Sequence, residues 1–154
     1  MARQPVELSL FWRTFFLLAL LLAGGIFAWV QTLRALDVAL DRFDAEGGRA
    51  VRLARYRANA LALHRGLAAL GLKPYLTEAD QGPIVVTVHQ PAGLVLADFV
   101  AALKRHGVTI SSYFTTEAPS FRIGAIGDIG LAEVAQVLRA VEAALAELGL
   151  RQAA

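Results

Sequence analysis

The sequence predicts an α/β protein of the α+β kind: an N-terminal transmembrane helix, then helices packed on one face of a small mixed or antiparallel sheet. Three observations predict it. Thr14 to Leu33 holds no charged residue. Two short stretches, Ile84–Val88 and Phe121–Ile123, have strand character, one from its branched side chains and the other from alternation. Three further stretches repeat apolar residues at three-to-four spacing and stop at glycine or run to the chain's end.

Composition sets the bounds. The 154 residues are 56% hydrophobic and 18% charged, with a mean hydropathy of +0.52. That is too apolar for a disordered chain and high for a wholly soluble domain. The length suits a membrane anchor, residues 1–34, followed by one module, residues 35–154. With no cysteine, disulfides and thiolate metal sites are excluded. A net charge of +2 combines with a pI near 9.4 because the cations are thirteen arginines and two lysines, Lys73 and Lys104.

In chain order, the uncharged run of about 20 residues matches a bilayer core at 1.5 Å per residue. It is apolar all round, as a lipid-facing helix is, and Trp12 and Trp29 stand near its ends where aromatic belts form. No small-x-small cleavage site follows it, which favours an uncleaved, single-pass anchor with the bilayer as its partner. Arg3 and Arg13 on one side balance Arg34, Arg42 and Arg49 on the other, so charge does not set the orientation.

Ala35–Glu46 reads as a helix stopped by Gly47-Gly48. Arg49–Leu70 reads as another, closed by Gly71, with Leu53, Tyr56, Ala60, Leu63, Leu67 and Leu70 on one face. Arg49, Arg52 and Arg55 recur every third residue on a second face, read as solvated or set against lipid headgroups. No aromatic residues interleave with them, so no nucleic-acid partner is expected. Lys73–Leu76 and Val108–Ile110 are predicted as short strands, and Leu96–His106 as a helix stopped by Gly107. Residues 111–119 form a loop carrying Tyr113 and Phe114. Leu131, Val134, Leu138, Val141, Leu145 and Leu148 form the core stripe of a last helix. The module is thus a helical entry followed by β-α-β-β-α.

The stretch with most chemical content is SFRIGAIGDIG, Ser120–Gly130. Alternation places Phe121 and Ile123 on one side of a strand and Arg122 on the other. A guanidinium there, with Gly124, Gly127 and Gly130 leaving room, suits a bidentate grip on a carboxylate. The spacing G-x-x-G-x-x-G is not the dinucleotide fingerprint. Asp128 is expected to meet unpaired N–H groups at the start of the last helix. His64, His89 and His106 lie too far apart in sequence for ligand spacing and read as surface or partly packed residues, so no metal site is expected. Ser111, Ser112 and Ser120 have no partner base in the sequence. No complete catalytic set is present, and Arg122 is the one candidate site residue, for substrate binding.

Four stretches in order, RFDAEGG with RYRANALALHRGLAALGL, QGPIVVTVHQP, ADFVAALKRHGVTISSYF and PSFRIGAIGDI, resemble class V PLP-dependent aminotransferases, most of all the 2-aminoethylphosphonate–pyruvate transaminases. The resemblance runs from about Ala35 to the end. It implies the C-terminal small domain of such an enzyme, with Arg122 binding the carboxylate of the amino- or keto-acid substrate and pyridoxal 5'-phosphate as the family's cofactor. It also implies a large-domain or homodimer partner. Neither Lys73 nor Lys104 matches the position of the family's Schiff-base lysine, so no cofactor-binding residue is assigned and the chain alone is expected not to transaminate. SLFWRTFFLLALLLAG followed by WVQTLRAL is similar to the first membrane helix of EnvZ-type sensor histidine kinases, which implies a bacterial inner membrane. No histidine box or ATP-binding glycine box follows. The alternative expectation is a membrane-anchored, non-catalytic interaction or sensor-like module.

Overall fold

A computed structural model of the chain describes residues 9–110 and 116–150. It divides into two units, Met1–Gly48 and Arg49–Ala154.

The first unit is one helix, α1 (Leu10–Ala45), of 36 residues. At 1.5 Å per residue it is about 54 Å long. None of its residues is buried, and Leu17, Leu21, Phe27 and Trp29 are all more than half exposed. By length and composition it is sufficient to cross a membrane. Its two polar hydroxyls are satisfied inside the helix: Thr14 Oγ1 donates to Leu10 O at 2.9 Å and Thr32 Oγ1 to Ala28 O at 3.0 Å. The break read between residues 34 and 35 falls within this helix, so the charged stretch from Arg34 to Asp44 continues it. The helix stops where Gly47 and Gly48 take φ of +101° and +70°, the left-handed region that glycine enters without a Cβ penalty.

The second unit has three helices and a two-stranded antiparallel sheet. In order these are α2 (Gly48–Ala69), β1 (Val85–His89), α3 (Leu96–Arg105), β2 (Ser120–Gly124) and α4 (Leu131–Glu147). The strands pair Val85 with Gly124, Thr87 with Arg122 and His89 with Ser120. Along β1, Val86 and Val88 are buried, and they share the core with Phe121 and Ile123 of β2. That same cluster takes Ala60, Leu63 and Leu67 from α2, Phe99, Ala102 and Leu103 from α3, and Val134, Val141, Ala144 and Leu145 from α4. One face of the sheet is therefore the floor of the core.

The sheet is smaller than the sequence suggests. Lys73–Leu76 contributes one bridge, Pro74 to Val88, flanked by Tyr75 N–H to Thr87 O and His89 N–H to Lys73 O, each at 2.9 Å. Val108–Ile110 is not a strand. Its branched side chains fit a pleat, but among the described residues it finds no ladder partner; Val108 N–H instead returns to Leu103 O at 2.9 Å and closes the end of α3. The loop carrying Tyr113 and Phe114, with Ser111 and Ser112, lies in part outside the described residues. In the last stripe Leu131 is 58% exposed, while Ala140 and Ala144 are buried.

Helices α2 and α4 approach closely at Gly66. A Cβ there would lie 2.2 Å from Leu138 Cδ1 and 3.0 Å from its Cγ. Gly66→Ala gains roughly 1 kcal/mol of helix propensity. Displacing the Leu138 side chain costs about 1–3 kcal/mol, so a net loss is expected. Gly66→Ala combined with Leu138→Ala should recover more stability than the two separate changes predict, in a denaturant-unfolding cycle. Additive losses would place the strain elsewhere.

Candidate functional site

Arg122 stands on the face of the sheet away from the core. Its neighbours Phe121 and Ile123 are buried and Arg122 is half-buried, as alternation demands. Thr87 is directly across the ladder. Two residues further along β2 on the same face is Gly124, where an added Cβ would find nothing within 4 Å. The backbone at Gly124 is thus open on that face of the sheet. On the same face, the Tyr75 ring stacks on His89 with centroids 4.6 Å apart and 21° between planes.

The chain beyond Gly124 forms the glycine turn that leads into α4. Ala125 N–H donates to Ile84 O at 2.8 Å, extending the ladder by one rung. Gly127 has φ +111°, which reverses the chain without strain. Two side chains of α2 hold the turn. Arg55 Nη1 donates to Gly127 O at 2.7 Å and to Ile129 O at 2.6 Å. Asn59 Nδ2 donates to Ile129 O at 3.0 Å and to Ala125 O at 3.4 Å. Residues four apart on a helix share a face, so one patch of α2 grips the turn. At the start of α4, Gly130 N–H donates to Glu133 Oε2 at 2.8 Å, and this bond holds the Glu133 carboxyl below its ordinary pKa. The carboxylate at this helix start is thus Glu133, three residues in, and not Asp128 as expected.

This arrangement corrects one sequence reading and sharpens another. Arg55 does not belong to a solvated stripe with Arg49 and Arg52: its guanidinium is committed to backbone carbonyls some 72 positions away in sequence. Of the two readings for His64, surface or partly packed, the structure takes the packed one further: it is buried, with Nε2 3.0 Å from Leu76 O and, among the described residues, no partner for Nδ1. His106 is exposed and lies 3.5 Å from Glu147, and His89 is held in the tyrosine stack, so the three histidines do not converge. Sequence reasoning missed Asn59, which is fully buried. An amide inside an otherwise apolar helical face was the available signal.

PLP chemistry needs a lysine that joins the cofactor and an enclosing pocket for it. Lys73 is exposed beside the Pro74 bridge and Lys104 is exposed on the last turn of α3. The described residues therefore do not fit the cofactor.

No protein-family model matches the chain. It is 39% identical over 122 residues to 2-aminoethylphosphonate–pyruvate transaminase 2 of Polaromonas sp. (strain JS666), covering 78% of this chain and 33% of that protein. It is 40% identical over 123 residues to the 2-aminoethylphosphonate–pyruvate transaminase of Paraburkholderia phymatum, covering 79% and 33%. The chain spans about a third of the length of these curated relatives. Among solved structures it is similar to pyridoxamine-pyruvate aminotransferase from Mesorhizobium loti, with a TM-score of 0.67 and 31% identity over 74% of this chain and 30% of that one. The ureidoglycine-glyoxylate aminotransferase of Bacillus subtilis gives 0.63 and 30% identity over 70% and 29%. Homology to transaminases over about 78% of the chain is thereby established.

Proposed function

We propose that residues 35–154 are the substrate-carboxylate-binding part of a PLP-dependent transaminase of the 2-aminoethylphosphonate–pyruvate type, attached to a bacterial inner membrane through residues 14–33. The observation that carries the site is the placement of Arg122: half-buried, on the sheet face away from the core, with open space at Gly124. A guanidinium grips a carboxylate through two parallel N–H bonds, and partial burial strengthens such bonds relative to water. The sequence similarity to 2-aminoethylphosphonate–pyruvate transaminases supports pyruvate and its amino-acid product as the carboxylates.

In this reading the chain's own residues bind and orient. Arg122 takes the carboxylate, and the turn after it sets one wall of the space. The cofactor and its lysine come from a large-domain partner, because neither Lys73 nor Lys104 is placed to serve and a second copy would bring only the same two lysines. The segment similar to the EnvZ-type membrane helix acts as a tether. The alternative, a non-catalytic module that docks through Arg49, Arg52 and Arg55, is weakened by the commitment of Arg55 to the turn.

The test is a titration of the detergent-solubilised full chain with pyruvate, followed through the arginine side-chain N–H signals in NMR. The Arg122 signal is expected to move saturably. Arg122→Ala should weaken binding about 10- to 100-fold, the loss of one charge-assisted bonded pair. Arg122→Lys should recover only part of it, since an ammonium lacks the fork. Identical titrations for wild type and Arg122→Ala would refute the assignment.

A further inference from the structure

We infer that Arg55 and Asn59 are positioning residues that hold Arg122 in its binding orientation. The inference rests on the carboxylate reading of Arg122 and names the residues that make that site rigid. Its basis is the way the turn is held. Between Ala125 and Gly130, Ala125 alone is buried. Ile126 is 47% exposed, and Gly127 and Asp128 are exposed. Apolar packing therefore fixes the start of the turn and little else. The rest is held by polar bonds, four of which run from Arg55 and Asn59 of α2 to the carbonyls of Ala125, Gly127 and Ile129.

The carbonyls of Ala125, Gly127 and Ile129 all turn toward α2. Three carbonyl oxygens converging on one patch crowd partial negative charge. A guanidinium and an amide relieve it, and charged donors bind carbonyls about twice as strongly as neutral ones. Without them, the buried Ala125 carbonyl would lose a donor and the turn would be free to swing outward. The turn begins directly after Gly124, the last residue of the strand that carries Arg122, and Ala125 N–H adds one rung beyond the ladder, to Ile84 O just before β1. Movement of the turn frays that rung first, and Arg122 lies three residues away. The pair on α2 thus acts on substrate through the backbone of β2, without touching it.

The experiment compares wild type, Arg55→Ala, Arg55→Lys and Asn59→Ala in the full chain. Three quantities are read: exchange of the Ala125 and Gly130 amides, the order of the Arg122 side chain from its Nε–H relaxation without ligand, and pyruvate affinity. For Arg55→Ala, both amides should exchange at least about tenfold faster, Arg122 should become more mobile, and affinity should fall about tenfold. Arg55→Lys, which keeps a cationic donor on the same stem, should restore most of each. Arg55 is half-buried, so this series stays folded even if Asn59→Ala does not. A turn that opens while Arg122 keeps its order overturns the inference and leaves a purely structural role. Failure of the wild type to bind pyruvate removes the carboxylate reading instead, and Arg122 order in Arg55→Ala still decides the positioning role.

Discussion

Phe121→Ala is expected to lower the stability of the second unit by about 3–5 kcal/mol, the usual cost of emptying an aromatic site in a packed core. Phe121 is wholly buried, its ring centroid lies 5.1 Å from that of Phe99, and its ladder partner Val88 is also wholly buried. Both sides of the lost ring are therefore built from side chains that cannot collapse far without leaving α3 or β1. For a single domain of ordinary stability, about 5–15 kcal/mol, this is roughly a fifth or more of the total. Denaturant unfolding followed by amide exchange of α3 and β2 measures the loss. A change below about 1 kcal/mol would mean that the two rings do not anchor the core.

The second large effect concerns α1. Leu22→Arg places a charge near the middle of the uncharged run, where transfer from leucine to arginine costs about 3 kcal/mol on insertion scales. If residues 14–33 cross the bilayer as proposed, the membrane-inserted fraction in an in vitro translocation assay should fall steeply. Asp37→Arg, beyond that run on the same helix, should leave it nearly unchanged. Equal insertion of wild type and Leu22→Arg would refute the proposed span. The internal bonding of Thr14 and Thr32 gives a reason to expect the wild-type helix to insert, since neither hydroxyl asks for water.

Much of the fold was legible because its signals are local. The stripe through Leu63 and Leu67, the stops at Gly71 and Gly107, and the alternation around Arg122 each follow from period and from glycine's freedom at positive φ, here +81° and +79° for those two glycines. What failed depended on distant partners. Val108–Ile110 has strand propensity, but a strand also needs a neighbour to bond to, and propensity does not supply one. Arg55 shares its spacing with Arg49 and Arg52, so periodicity treats the three alike. Only the folded chain brings the carbonyls of Gly127 and Ile129 to Arg55. The outward placement of Arg122 on its strand was legible because its apolar flanks are adjacent in sequence. Arg55 and Asn59, which bond the turn after it, precede that turn by about 70 positions.

The bridge at Pro74 has a consequence for self-association. Lys73 O and Tyr75 N–H point toward β1, so the main-chain atoms of Pro74 point the other way, to the outer margin of the sheet. Proline has no N–H, so that margin lacks a donor where a foreign strand would need one. The exposed Lys73 adds a charge alongside it. Together they blunt this border against strand-to-strand aggregation. That protection matters most where copies are concentrated in two dimensions.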